Sequence, residues 1–417
     1  MDGFVWGVMA PDQLEPKRAG LDLGLRTPLL HYADMSVPGI GGVFFVRQLV
    51  WPCLAIGLSH GGDVGHLRIS TARLATAIEA LACKLWLEEH DGGTREDRKG
   101  RVAGVRTLPD RGWTFRELGT KEGYVSNPKR RAATRALPEG SGLGFTSGGL
   151  RLDRMTLTRS GDELVADALE RRLIFKDEAG KWFREWIDGG GREVAGKLKS
   201  SLREALDPFT PTPREKHVVR AALYCGEDGR RRRLIKQLEA RGLSIQSADV
   251  EAGLLAHLPT IQAAQIRAAW AFRRLMTAAQ ATVRCMAAAL PTLDTRLSPV
   301  TLSARAGDAL NAARDAARHF LALVHENAVL RQDEAVRFAQ FLVEKDPREA
   351  LGDLVLRAGP LFRLDGDAVM RGPAFSDRWL SRQDDEEGDG VATAPGDGDL
   401  PLRLPELLSL LADCKEA

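Results

Sequence analysis

The sequence predicts a mainly α-helical protein with a helical N-terminal unit, one small β-hairpin and a long helical C-terminal region. Three observations predict this fold class. Apolar residues recur at helical spacing, two short strand patterns flank a glycine turn, and the part after residue 213 is rich in Ala and Arg and has short loops. Of the 417 residues, 44% are hydrophobic and 28% are charged, which excludes a disordered or fibrous protein. The length predicts two or three domains.

The helical N-terminal unit covers residues 1–90. After an irregular start, residues 43–58 are apolar nearly all round, as is typical of a central core helix. A glycine-rich turn follows. Ser70 or Thr71 then caps a second helix, in which apolar residues recur at helical spacing until the unit ends at His90.

Arg47, Gln48 and Pro52 lie inside the longest apolar stretch, which runs from residue 39 to residue 59. A charge at the centre of a bilayer costs at least about 2.5 kcal/mol, so we interpret this stretch as a buried helix and predict no membrane contact. A buried arginine usually pairs with a carboxylate or with backbone carbonyls. Asp34 is the nearest candidate in the sequence, and we expect a structural ion pair for Arg47 rather than a ligand contact.

Positive charge is concentrated between Arg95 and Arg154. This window contains 14 Lys or Arg against 7 Asp or Glu, whereas the whole chain has a net charge of +2. Residues 91–103, at its start, are polar and contain glycine, and they form a predicted linker or surface loop. The charge distribution therefore indicates a candidate binding segment.

Residues 104–175 form a predicted winged-helix-like module. The sequence Ser126-Asn127-Pro128 is typical of a helix start, and the helix predicted over residues 128–137 carries basic residues in its first two turns. Two strands, within 143–145 and 150–157, are predicted around a glycine turn. A capping box, in which Ser160 is followed three residues later by Glu163, is expected to open the next helix.

A basic helix followed by a two-stranded wing is the second half of a winged helix, in which Lys and Arg meet phosphates or guanine edges in the major groove. The sequence therefore predicts a site for nucleic acid, with double-stranded DNA as the favoured partner and RNA as the alternative. Its residues are Lys129, Arg130, Arg131 and Arg135 on the helix and Arg151 and Arg154 on the wing. Two other interpretations stay open: a winged element that docks protein, and a structural hairpin whose arginines are simply solvated.

A second basic patch is predicted where four arginines open a helix: Arg230, Arg231, Arg232 and Arg233. Guanidinium groups and the free N–H groups of a helix start both favour phosphate. The alternative is a solvated face on which Glu227, Asp228 and Glu239 neutralise these arginines.

The remaining chain is interpreted as a helical region over residues 176–380. Its predicted helices after residue 213 are 213–225, 229–241, 248–257, 260–290, 303–328 and 332–343. Residues 381–400 are acidic and rich in glycine, and they are predicted to be a disordered linker. The apolar piece within residues 401–417 is expected to pack back on the body as a short docking helix.

No complete catalytic signature occurs, so the sequence favours a non-enzymatic protein without a cofactor or metal site. Gly57-Leu-Ser59-His-Gly61 matches GxSxG, but a nucleophile elbow needs a strand before the serine and a helix after it. A helix is predicted before Ser59 instead. Residues 175–182 have mixed charge, but without the spacing of a nuclease carboxylate cluster.

The five cysteines have no CxxC spacing and most lie in apolar runs, which predicts reduced core thiols and a cytoplasmic protein. The N-terminus also lacks the basic and apolar pattern of a signal peptide.

Three loose motifs suggest a family resemblance: Pro38-Gly39 with Arg47-Gln-Leu-Val-Trp51, then Tyr124-Val-Ser-Asn-Pro128, then Leu157-Thr-Arg-Ser-Gly-Asp-Glu-Leu164. Over residues 1–245 and 402–413 the chain resembles bacterial accessory proteins of unassigned activity, which are encoded beside helicase and restriction-type genes in anti-phage defence islands. The family pattern has an aromatic pair where this chain has Gln48-Leu49. The resemblance implies a role in a multi-protein, DNA-directed defence machine.

The sequence thus favours a non-enzymatic nucleic-acid-binding subunit of such a complex. The alternative is an interaction scaffold that binds a helicase or nuclease partner without contacting DNA.

Overall fold

The computed structural model confirms a mainly helical fold with small antiparallel hairpins. It divides into two compact units. The larger unit comprises His31–Trp270 and Asp385–Ala417, and the smaller unit comprises Met1–Leu30 and Ala271–Asp384. The structure describes residues 22–60, 69–120, 123–125, 127–170, 179–189, 194, 197–226, 229–292, 295–325, 327–366, 368–373, 375 and 399–415.

The part up to residue 170 combines long helices with single helical turns. Its helices are α1 (Arg26–Ser36), α2 (Arg47–His60), α3 (Thr71–Glu89), α4 (Arg95–Arg98), α5 (Phe115–Leu118), α6 (Arg130–Ala133) and α7 (Arg159–Glu170). Strands β1 (Thr146–Ser147) and β2 (Thr156–Leu157) form an antiparallel hairpin between α6 and α7, in which Thr146 pairs with Leu157. A hairpin is therefore present, but β1 follows the predicted strand at 143–145 instead of coinciding with it, and β2 is only the end of the predicted strand at 150–157.

The next part of the chain is helical up to the boundary between the units, which falls inside α13. Its helices are α8 (Ala179–Ile187), α9 (Lys197–Leu206), α10 (Pro213–Tyr224), α11 (Arg230–Glu239), α12 (Ser247–Asp249) and α13 (Thr260–Ala288). The segment predicted to be helical over residues 248–257 is helical but irregular, because a π-helical turn at Val250–Leu254 and a 3-10 turn at Leu255–His257 follow α12.

The smaller unit is built around one long helix. Its elements are α14 (Pro299–His325), α15 (Asp333–Glu344), α16 (Pro347–Arg357), β3 (Phe362–Asp365) and β4 (Ala368–Arg371). Helix α14 packs against both α15 and α16. The buried rings of Phe272 and Phe320 lie 5.5 Å apart in this core. The β3–β4 hairpin and α16 were not predicted from the sequence.

Helix α2 lies at the centre of the larger unit and packs against α3, α6, α7 and α8. Between Leu49 and Leu58 its residues are apolar on all sides, which fits a helix with neighbours all round. Helix α3 begins as predicted, because the Ser70 hydroxyl accepts a hydrogen bond from the Arg73 N–H at 3.2 Å. None of the helices in the described part of the chain is long and apolar enough to cross a membrane.

The segment after the predicted acidic linker returns to this unit as α17 (Leu404–Asp413), whose apolar side chains are buried. The Asp413 carboxylate accepts a hydrogen bond from the Val46 N–H at 2.8 Å and pairs with Arg101 at 2.7 Å. Most of the predicted linker, residues 381–398, lies outside the described residues.

One hydrophobic core contains residues from Val37 through Trp270 and from Leu400 through Cys414. The segments that the sequence separates as 1–90, 104–175 and 401–417 therefore contribute to the same core.

Candidate nucleic-acid interface

The basic helix of the predicted module is a single turn, so the helix predicted over residues 128–137 is wrong in extent. Helix α6 contains four residues, Arg130–Ala133. Beyond it, the Ala136 carbonyl accepts a hydrogen bond from the Leu143 N–H at 2.7 Å, and the Leu137 carbonyl accepts one from the Phe145 N–H at 2.8 Å. These carbonyls bond to the hairpin segment instead of to a further helical turn, and a single turn does not provide the recognition helix of a winged helix.

The start of α6 is occupied by a buried carboxylate from α3. Glu79 is fully buried, and its two carboxylate oxygens accept hydrogen bonds from the backbone N–H groups of Lys129 (2.8 Å) and Arg130 (2.9 Å). The Tyr124 hydroxyl donates a third hydrogen bond to Glu79 at 2.9 Å. Burial raises the pKa of the Glu79 carboxyl, while these donors lower it. These two N–H groups therefore bind Glu79 rather than a phosphate.

The side chains of Lys129 and Arg130 also contact the protein itself. The Arg130 guanidinium donates to the Thr76 hydroxyl at 2.7 Å, and the Lys129 ammonium lies 5.4 Å from the centre of the Phe44 ring. The backbone carbonyl of Lys129 accepts a hydrogen bond from the Gln48 amide at 3.1 Å. These two predicted DNA contacts thus attach α6 to α2 and α3.

The hairpin carries the other predicted contacts. A 3-10 turn at Leu152–Arg154 joins the strands, and its Leu152 side chain is buried. Arg151 and Arg154 flank this side chain and are exposed. A side chain at Gly148 would overlap the Arg154 carbonyl, and Gly148 has φ +90°, so the turn needs glycine at this position. The following helix is capped by Thr158, whose hydroxyl accepts the Gly161 N–H at 3.2 Å, and the predicted capping box at Ser160 is wrong.

The structure brings α6 and the 3-10 turn to the same pair of helices, since both pack against α2 and α3. The charge of Asp153 in the 3-10 turn also acts on Arg130 and favours its charged form. Four of the six predicted residues are exposed, and their side chains make no ion pair or hydrogen bond within the described part of the chain: Arg131, Arg135, Arg151 and Arg154. We call these four residues the arginine surface.

The second basic patch has a different arrangement. Arg231 is 5% exposed, and its guanidinium donates hydrogen bonds to the carbonyls of Pro38, Ala222, Leu223 and Cys225. It therefore closes the end of α10, and its prediction as a phosphate contact is corrected. Arg230 and Arg233 bond to the amide oxygens of Gln265 and Gln262 on α13, and both Arg232 and Arg233 are exposed.

Of the three acidic residues expected to neutralise this patch, the structure describes one, and that residue has other partners. Glu239 bonds to Arg220 and Tyr224 instead. Glu227 and Asp228 lie outside the described residues.

Arg47 forms the structural ion pair expected of it, but with another partner. Its guanidinium lies 2.9 Å from the Glu215 carboxylate of α10 and donates to the Thr210 carbonyl at 3.2 Å. The expectation of Asp34 as partner is wrong. Burial raises the pKa of Glu215 to about 7, although the Arg47 charge lowers it.

Neither catalytic motif of the sequence forms a site in the described residues. Ser59 lies in the last turn of α2, where its hydroxyl donates to the Ile56 carbonyl at 3.0 Å and accepts from Thr71 at 3.2 Å. Residues 171–178, which hold most of the mixed-charge stretch, lie outside the described residues. Within the described ranges, no group of three or more His, Cys, Asp and Glu is placed to hold a metal ion.

No family model, no curated protein and no solved structure matches this chain. The resemblance to accessory proteins of defence islands stays a prediction. The function is therefore inferred from the residues and their geometry alone.

Proposed function

We propose that this chain is a non-enzymatic nucleic-acid-binding subunit that contacts the phosphates of double-stranded DNA through the arginine surface. One observation carries the proposal. The four arginines of this surface are exposed and form no salt bridge in the described residues, although the charge of Arg135 acts on the Asp34 carboxyl, whereas many other arginines of the chain form one. An unpaired guanidinium offers several donors in a fork that matches phosphate oxygens.

The surface fits backbone contact better than base reading. Helix α6 has one turn and its first N–H groups bind Glu79, so no long helix carries these arginines into a major groove. Phosphate contacts fix orientation without reading sequence. The expected binding therefore depends strongly on salt and little on DNA sequence.

Fluorescence anisotropy with a mixed-sequence duplex at about 50 and 200 mM salt tests this proposal. The full-length variant with Arg131, Arg135, Arg151 and Arg154 changed to Gln should lose four phosphate contacts. The slope of log K against log salt is then expected to become less steep by about 3.6, at about 0.9 for each phosphate.

The matched control changes four arginines that each pair with a carboxylate: the exposed Arg296, Arg318 and Arg331 and the half-buried Arg267. Both variants lose the same formal charge, but the control variant should keep most of the wild-type slope. Absence of binding by the wild type at the lower salt, or equal loss in both variants, would overturn the proposal.

The resemblance over residues 1–245 supports assigning this subunit to a bacterial anti-phage defence complex with a helicase or nuclease as its partner. A second candidate function is an interaction scaffold without DNA contact. The observation that favours it is on the smaller unit, where four large apolar side chains are at least half exposed: Val300, Val329, Leu356 and Leu364.

Serine at Val329, Leu356 and Leu364 should abolish co-purification of a helicase or nuclease from the native host if the scaffold function is correct. Serine at Leu150, an exposed leucine of the larger unit, is the control. If the triple variant still bound the partner, these three side chains would be excluded as its docking site.

A further inference from the structure

Helix α6 carries part of the arginine surface, yet it is too short to be stable by itself. Two hydrogen bonds of helical type close its turn: the Ala133 N–H donates to the Lys129 carbonyl at 3.3 Å, and the Thr134 N–H donates to the Arg130 carbonyl at 2.8 Å. An isolated helical turn is unfavourable because several backbone angles are fixed for each bond gained. The position of α6 must therefore be set by contacts from other elements.

Those contacts converge on Lys129 and Arg130, directly before Arg131. Glu79 binds both backbone N–H groups, Gln48 binds the carbonyl of Lys129, and Thr76 binds the Arg130 guanidinium. Glu79 is the ionisable member of this set and is fully buried on α3. A buried carboxylate is unfavourable unless its oxygens are hydrogen-bonded, so the two N–H groups are held firmly at its two oxygens.

Neighbouring residues on a helical turn are rotated by about 100° from one another. With Arg130 bonded to Thr76 on the inner side, Arg131 is directed outward, and its side chain is exposed. The same turn leads on to Arg135, which is also exposed.

We infer that Glu79 is a positioning residue for DNA binding: its carboxylate fixes the start of α6 so that Arg131 and Arg135 face the phosphates together with Arg151 and Arg154. This inference rests on the proposed function. Glu79 itself does not touch the nucleic acid, and it acts through the backbone of Lys129 and Arg130.

The first test is Glu79→Gln in the full chain. Glutamine keeps the size of the side chain, but its amide nitrogen cannot accept one of the two backbone N–H groups. Loosening of α6 should remove the contribution of two arginines, so the salt slope of duplex binding is expected to fall by about 1.8. The Arg131→Gln/Arg135→Gln variant should give the same fall.

A double-mutant cycle separates positioning from general weakening. Adding Glu79→Gln to Arg131→Gln/Arg135→Gln should change the slope no further, because the residues through which Glu79 acts are already gone. Adding it to Arg151→Gln/Arg154→Gln should give the sum of the two effects. A full additional loss in the first combination would overturn the inference.

Glu215→Gln is the matched control. Glu215 is equally buried and also accepts a backbone N–H at a helix start, that of Thr212 at 2.8 Å, but it serves α10 instead of α6. This variant should leave the salt slope at the wild-type value. Equal slope losses in the Glu79 and Glu215 variants would also overturn the inference.

Hydrogen exchange gives a readout that does not depend on DNA. The amides of residues 129–135 should exchange faster in Glu79→Gln than in wild type, and at the wild-type rate in Glu215→Gln. If Glu79→Gln does not fold, Tyr124→Phe removes the third hydrogen bond to Glu79 and should show the same pattern with a smaller effect. Unchanged exchange in these amides would refute the positioning role. Faster exchange without DNA binding by the wild type would refute the proposed function and the role of Glu79 in it, and would leave Glu79 as a residue that fixes α6 alone.

Discussion

Two runs of basic residues look alike in the sequence and differ in the structure. They are Lys129–Arg131 at the start of α6 and Arg230–Arg233 at the start of α11. In the first run, Lys129 and Arg130 bond to residues of α2 and α3 at the start of a single helical turn, whereas Arg131 is exposed. In the second run Arg231 is buried against four carbonyls, and Arg230 and Arg233 bond to glutamines of α13.

The difference follows from helix geometry. Four successive residues on a helix span about 300° of its circumference, so at least one of them must face the protein when the helix packs on a core. In α11 that residue is Arg231, which replaces the missing helical partners of the last carbonyls of α10. A run of arginines at a helix start therefore contains structural residues as well as candidate binding residues.

The largest expected effect is a difference in stability between variants of a buried and of an exposed arginine in the second run. Arg231→Met leaves several buried carbonyls without donors, so we expect the free energy of unfolding to fall by about 3 to 5 kcal/mol. Urea denaturation measures this change. Arg232→Met, at the exposed neighbour, should stay within about 0.5 kcal/mol of wild type. Equal effects at both positions would remove the distinction between the two faces of α11.

The same comparison applies to acidic residues. The free energy of unfolding should depend on the protonation of a carboxyl group that is buried in the folded state. The pKa of Glu215 is raised from 4.5 to about 7 by burial, so between these values the folded state binds more protons than the unfolded state. The free energy of unfolding should therefore decrease as the pH rises from about 5 to about 7, by at most about 3 kcal/mol.

Thermal and urea unfolding of Glu215→Gln across this pH range checks the assignment. The decrease should be smaller in this variant, and part of it should remain, because burial also raises the pKa of Glu79. Parallel profiles of the variant and the wild type would show that Glu215 is not the group responsible.

The smallest expected effect is a difference in DNA binding between exposed arginines near the two runs: Arg131 with the following Arg135, and Arg232 with Arg233. Arg131→Gln/Arg135→Gln should reduce the salt slope by about 1.8, while Arg232→Gln/Arg233→Gln should leave it nearly unchanged. Anisotropy titrations of both variants over a series of salt concentrations measure this difference. The opposite result would move the interface from α6 to the start of α11.

Much of the helical fold could be predicted from local sequence patterns. The apolar run of α2 and the Ser70 cap of α3 are local signals, and both are present in the structure. The extent of α6 could not be predicted this way, although Pro128 is typical of a helix start. Its length depends on hydrogen bonds from Leu143 and Phe145 and on Glu79, which is fifty residues away in the sequence.

The candidate site could be predicted only in part, because contacts with residues far away in the sequence also determine it. The residue types and their concentration of charge identified the segment, and four of the six arginines and lysines are exposed there. Which of them face inward depends on distant partners such as Thr76, and no periodicity reveals these partners. The partner of Arg47 was missed likewise, because Glu215 is closer in space than Asp34 but far away along the chain.

The docking of α17 has a consequence for the order in which the larger unit is completed during synthesis. The first stretch of this unit ends at Trp270, and α17 follows only after the residues of the smaller unit. At about 5 to 20 residues per second, the ribosome needs on the order of ten seconds to make the intervening chain. During this interval the Val46 N–H and the Arg101 guanidinium lack Asp413, and the apolar groove that α17 fills stays open to water or to a chaperone.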